Sequence, residues 1–113
     1  MGMLSRTDEM ILLAVWRLKD NAYGVTIAEM LTRTSGKKWI LGAVYVPLER
    51  LEKKKYLSSG LGKSSKKRGG RSKRLYKLTK DGLDILIKTK TREQSIWMDI
   101  SLSHLEKGYD TKN

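Results

Sequence analysis

Residues Lys63–Arg74 read KSSKKRGGRSKR: seven cations, no acid and no large apolar side chain. Taken alone, such a stretch is a solvated basic tail. Its flanks change that reading. Tyr56-Leu-Ser-Ser-Gly-Leu61 precedes it and Lys73-Arg-Leu-Tyr-Lys-Leu78 closes it. Both are short strand candidates separated by a Gly/Ser-rich segment, and the second alternates, with Leu75 on one face and Tyr76 on the other. Two strands bracketing a flexible cationic loop predict a β-hairpin with a basic tip, held at both ends by the core.

The charge is confined to the same region. Between Lys53 and Lys80 stand twelve Lys or Arg and no Asp or Glu, so half of the chain's 24 cations and its whole net charge of +12 fall in one quarter of it. A local field of one sign attracts a polyanion: DNA, RNA or an anionic membrane. The plain alternative is a loop that only aids solvation, but such loops usually carry both signs.

The 113 residues suffice for one domain, and 39% apolar content supports one modest core. A domain this small gains from a dimer interface. Cysteine is absent, which excludes disulfides, thiolate zinc sites and cysteine nucleophiles. His104, the single histidine, reads as an ordinary side chain, and neither a metal site nor a catalytic triad is expected. Gly69-Gly70 is a turn signal rather than a phosphate-cradling loop, so neither a cofactor nor an enzyme is expected. No apolar run approaches the roughly 18 residues of a membrane span. Asp8 and Glu9 precede the first apolar stretch, the wrong charge for a secretory signal, and the expected location is cytoplasmic, with the nucleoid.

Thr7-Asp-Glu reads as a helix start, with Thr7 as cap and the acids at the positive end of the dipole. Met10, Leu13, Ala14 and Leu18 then recur on one face, widened by Ile11, Leu12, Val15 and Trp16, toward an end near Asp20-Asn21. Tyr23-Gly24 turns the chain. Val25, Ile27, Ala28 and Leu31 give a second helix that stops at Ser35-Gly36. Lys37–Ile40 is a linker or a brief edge strand. A third helix spans about 41–54, with Val44, Leu48 and Leu51 facing the core and Tyr45 beside them. Its other face carries Ala43, Val46, Pro47, Arg50, Lys53 and Lys54. Pro47 implies a late start or a kink, because an interior proline removes an amide bond at about 3 kcal/mol. After the hairpin, Thr79 caps a last helix with Asp81 and Asp84 in its first turns. Leu83, Leu86 and Ile87 share one side; Lys88–Ser95 lacks apolar residues, which return at Ile96, Trp97, Met98, Ile100, Leu102 and Leu105. Such a helix is expected to leave its own domain and meet another chain.

Three helices followed by a two-stranded ribbon describe a winged helix-turn-helix, a mainly α (α+β) fold in which the third helix enters the major groove and the ribbon tip lies over the backbone or minor groove. The expected organisation is a DNA-binding domain over residues 1–78, a C-terminal dimerisation helix over 79–108 and a disordered tail over 109–113.

Two stretches also resemble the PadR-like transcriptional regulators: Ala43-Val-Tyr-Val-Pro-Leu-Glu-Arg-Leu-Glu-Lys-Lys-Lys-Tyr-Leu57, and Gly69-Gly-Arg-Ser-Lys-Arg-Leu-Tyr-Lys-Leu-Thr-Lys-Asp-Gly82. The resemblance covers roughly residues 5–105. It implies a homodimeric, ligand-responsive DNA-binding repressor that pairs through its C-terminal helix. Two positions depart from the family pattern. Lys55 stands where a glycine with positive φ usually ends the third helix, and Val46 intervenes between the tyrosine and the proline.

Roles follow for individual residues. Arg71, Lys73 and Arg74 are the foremost phosphate contacts, with Lys66, Lys67 and Arg68 at the tip and Lys37 and Lys38 ahead of the third helix. Ala43 and Val46 are placed to touch thymine methyls, and Tyr45 a phosphate through its hydroxyl. Arg50 is open to three fates: a guanine edge, a phosphate or a neighbouring acid. Trp97 either packs the dimer seam or helps form a flat site for a planar aromatic effector, with Trp16, Met10 and Ile100 in the same cavity or in the core. The leading expectation is a repressor on a palindromic operator with half-sites about one helical turn apart. The alternative is an architectural or RNA-binding winged-helix module without sequence choice.

Overall fold

The computed structural model describes residues 3–62 and 73–111. Helix α1 (Arg6–Leu18) is capped by Ser5, whose hydroxyl accepts from the Asp8 amide at 3.0 Å. The cap lies two residues before Thr7, which is itself helical. A 3₁₀ turn (Lys19–Asn21) leads to α2 (Gly24–Ser35), which Gly36 ends in the left-handed region at φ 77°. The connection to α3 (Leu41–Lys53) contains no strand. It is pinned by Trp39, whose backbone N–H donates to Thr32 Oγ1 (2.9 Å) and whose indole N–H donates to Ser35 Oγ (3.1 Å). These side-chain bonds set the turn between the two helices without a ladder.

Helix α3 runs unbroken through Pro47. Pro47 is buried beside Val44, Leu48 and Leu51, on the core face rather than the outer one. The helix ends where Lys55 takes φ 68°, the conformation that a glycine would adopt at less cost. The Lys55 carbonyl then accepts from Thr79 Oγ1 (2.7 Å), and Tyr56 N–H returns to Leu51 O (3.0 Å). Strands β1 (Leu57–Leu61) and β2 (Arg74–Leu78) pair antiparallel, with Leu57 opposite Leu78 and Leu61 opposite Arg74. The face of β2 turned to the core carries Tyr76, which is 6% exposed, while Leu75 lies on the opposite face. Tyr76 N–H also reaches Ala22 O (2.8 Å), tying the ribbon to the segment before α2.

One core joins these parts. Ile11, Leu12 and Val15 of α1 meet Ile27 and Leu31 of α2, Val44, Leu48 and Leu51 of α3, and Leu57 and Tyr76 of the ribbon. Three helices and a two-stranded wing make this a winged helix.

Helix α4 (Lys80–Ile96) is capped by Thr79, which accepts from Gly82 N–H (3.0 Å). It packs against the core through Ile85 and Leu86 and is joined to α1 by an ion pair from Arg6 to Glu93 (3.5 Å). The C-terminal element is not one helix. The chain breaks after Ile96, Asp99 adopts φ 64°, and a separate α5 (Leu102–Thr111) begins where Ser101 Oγ accepts from His104 N–H (3.1 Å). Asp in the left-handed region and Ser at a helix start are both favoured, which explains the break without a glycine. The second helix continues past Gly108 to Thr111.

Candidate nucleic-acid interface

Helix α3 presents the side opposite its core stripe to solvent. Val46 is 66% exposed and Tyr45 49%, and Ala43 is exposed as well. Tyr45 leans toward the first turn of α2: a methyl group at Gly24 would sit 2.9 Å from the Tyr45 oxygen and 2.8 Å from Leu41 Cδ1. The Tyr45 and Leu41 side-chain ends thus occupy the space that a side chain at position 24 would take. Lys37 and Lys38 are exposed just ahead of α3.

The root of the wing lies beside the same helices. The Lys73 ammonium sits 4.2 Å from the centre of the Tyr23 ring, immediately before α2. Arg74 Nη1 donates to Ser59 Oγ (2.9 Å), and Ser59 donates in turn to Glu52 Oε2 (2.6 Å) on the last turn of α3. Burial raises the Tyr76 phenol above its ordinary value, and the Glu52 carboxylate adds to the rise while Arg74 opposes it. Lys66, Lys67, Arg68 and Arg71 lie outside the described residues.

Arg50 has a partner. Its guanidinium donates to Asp8 Oδ1 at 2.5 Å, across the contact between α1 and α3. Asp8 has a side chain only 6% exposed, whereas Arg50 remains 44% exposed. Of the three fates open in the sequence, the structure records pairing with an acid. No local pattern announces it, since the two residues are 42 positions apart.

Of the residues grouped around Trp97, Ile100 is hydrogen-bonded to it, its N–H donating to Trp97 O (2.9 Å), whereas Trp16 borders another cleft. Trp97 closes α4 and lines a cleft of about 310 Å³ with Leu4, Arg6, Glu9 and Arg92. Trp16 borders a different cleft with Lys19, Lys77 and Leu78, and Lys19 lies 4.5 Å from its ring centre. Met10 packs against the core, and Ile100 is 46% exposed beyond α4. Among the described residues, no group of three or more His, Cys, Asp or Glu could hold a metal ion. No helix among the described residues is long and apolar enough to cross a membrane.

Residues 12–88, from the middle of α1 through the wing into α4, match the family described as "Transcriptional regulator PadR-like family". The chain belongs to the PadR-like family. A PadR family transcription regulator from Clostridium difficile R20291 is 30% identical, with 81% of this chain and 90% of that chain covered at a TM-score of 0.61. A PadR-like transcriptional regulator from Bacillus cereus is 23% identical over 80% of this chain and 82% of its own, at 0.66. RosR of H. salinarum shares the fold at 19% identity, 96% and 89% coverage, and a TM-score of 0.67. None of the curated proteins matches the chain. This PadR-like protein is a transcriptional regulator with a DNA-binding winged helix, and its family comprises regulators rather than enzymes.

Proposed function

We propose that this PadR-like protein is a repressor that binds a palindromic DNA operator as a homodimer and leaves it when a planar aromatic effector binds. The observation that carries the reading is the shared placement of α3 and the wing root. An exposed helix face of Ala43, Tyr45 and Val46 has Lys37 and Lys38 at one end, while Lys73 and Arg74 approach along the ribbon. In this arrangement α3 fits the major groove, and the cations, together with Lys66, Lys67, Arg68 and Arg71 of the wing sequence, neutralise phosphates on either side. Arg50 acts as a strut between helices rather than as a base reader.

Dimerisation is supported by the uncovered C-terminal arm. Ile87, Ile96, Trp97, Ile100, Leu102 and Leu105 are between 45% and 70% exposed. The radius of gyration is 17.8 Å, against about 13 Å for a compact chain of this length. A second copy laid on the arm would bury these side chains and place Trp97 at the seam. The effector is proposed to rest against Trp97, in the cleft shared with Arg6 and Arg92.

Salt-dependent binding tests the reading. If each subunit neutralises about four phosphates, a dimer gives a log–log slope near −7, and the operator selected from a random pool is preferred over unrelated duplex by roughly 10³ or more. A slope near zero removes the DNA reading. A steep slope without sequence preference, or equal affinity for RNA, favours an architectural or RNA-binding role.

A further inference from the structure

We propose that Ser59 and Glu52 are positioning residues that fix the Arg74 guanidinium relative to α3, so that an acid on the DNA-binding face strengthens binding. The inference rests on the reading of Arg74 as a phosphate contact.

Ser59 and Arg74 lie on neighbouring strands but not opposite each other. Ser59 pairs with Tyr76, and Arg74 pairs with Leu61, which makes Ser59 and Arg74 diagonal neighbours on one face of the ribbon. Leu57 and Tyr76 occupy that face too, and both are buried in the core. Arg74 therefore projects just beyond the edge of the core, on the side of α3.

The direction of the hydrogen bonds is fixed by chemistry. Arginine only donates, an ionised carboxylate only accepts, and a serine hydroxyl has one proton to give. Ser59 gives that proton to Glu52 and accepts from Arg74, at 2.6 and 2.9 Å. Both of its capacities are used, and the chain of bonds is charge-assisted at each end. Arg74 is thereby referenced to the recognition helix and not only to its own strand. A long side chain already held in place loses less conformational freedom when it meets a phosphate.

Two explanations of Glu52 differ in sign. Simple repulsion makes any acid here a liability, so its removal should raise the affinity for a polyanion. The relay makes removal lower it.

The test uses the full chain and a labelled duplex of about 20 base pairs, two helical turns, at fixed salt. Ser59→Ala, which changes no charge, should weaken binding about threefold to tenfold, the range of one hydrogen bond. Ser59→Thr keeps the hydroxyl and should restore affinity. Glu52→Ala should weaken binding as well; in an Arg74→Ala background Ser59→Ala should have no further effect, and Glu52→Ala should no longer weaken binding. Thermal melting verifies that each variant is folded; should Ser59→Ala not fold, Glu52→Ala in the two backgrounds carries the same comparison. If Arg74→Ala weakens binding while Ser59→Ala does not, or if Ser59→Ala costs the same in both backgrounds, the relay is wrong and the wing reading stands. A gain in affinity for Glu52→Ala also overturns the relay. No effect of Arg74→Ala removes this contact from the wing reading, and the proposal with it.

Discussion

Gly82→Ala is the substitution in which local and tertiary reasoning disagree in sign. Gly82 occupies the third position of α4, and its φ is not positive. By helix propensity alone, alanine should stabilise that turn by up to about 1 kcal/mol. The packing argues otherwise. A Cβ at Gly82 would lie 2.2 Å from the Tyr56 carbonyl oxygen and 3.0 Å from Leu78 Cδ1. Relief requires a shift of about 1 Å, since non-bonded carbon approaches settle near 3.5 Å. The oxygen in the way is the one that accepts from Thr79 N–H (3.1 Å), and the neighbouring Lys55 carbonyl accepts from Thr79 Oγ1 (2.7 Å). Moving α4 away stretches both bonds, at a net cost of about 0.5–1.5 kcal/mol each. Residual overpacking adds about 1–3 kcal/mol. Set against the propensity gain, the expected result is a destabilisation of about 1–6 kcal/mol, with a melting temperature lower by roughly 4–8 °C for each kcal/mol. Urea titration followed by far-UV circular dichroism measures it. Gly42→Ala is the control: Gly42 also sits in the first turn of a helix, but a Cβ there meets nothing within 4 Å, so alanine should be neutral or stabilising. Equal behaviour of the two variants would refute the claim that backbone approach, rather than helix chemistry, requires glycine at position 82.

Three further outcomes are expected. Lys55→Gly should stabilise the fold by about 0.5–1 kcal/mol in the same titration, because φ 68° costs lysine about 1–2 kcal/mol and glycine only its extra chain entropy. Arg50→Ala should destabilise by about 1–2 kcal/mol, between the values for exposed and buried pairs, because Asp8 is left buried while Arg50 is half exposed; a matching loss in Asp8→Ala with little further loss in the double variant would show the coupling. Tyr76 has its phenol raised in the folded protein, so the unfolded chain releases that proton first. The stability it contributes is intact below the ordinary value of 10.0 and is lost above it, at up to about 1.4 kcal/mol per pH unit, until the folded phenol also ionises. Tyr76→Phe should remove that part of the alkaline slope and leave the neutral range unaffected by titration.

Much of this architecture was legible in the chain. The stripe of Val44, Leu48 and Leu51 located α3 and its buried side, Thr79 marked the start of α4, and the one-signed segment between two short strands located the wing. Each of these signals is local. A helix repeats every 3.6 residues and a strand every two, so burial writes itself into the spacing. The break at Asp99 was also open to a local reading, since Asp99 and Ser101 are turn and cap formers. The apolar residues around them at Ile96, Met98, Ile100 and Leu102 masked it by resembling a continuous stripe.

What the tertiary structure alone decided concerns partners across elements. Helical phase puts Arg50 on the outer face of α3, yet Asp8 of α1 takes its guanidinium. Strand alternation offered Leu75 or Tyr76 to the core, and contact with the helices chose Tyr76. Glycine at position 82 could be matched to a family pattern, but its reason is an oxygen 26 residues earlier in the chain. The linkage of Arg74 to α3 through Ser59 has no sequence signature. Periodicity records only which way a residue points within its own element. Which atom it meets depends on how the elements are placed against one another, and that placement is a property of the whole packed core.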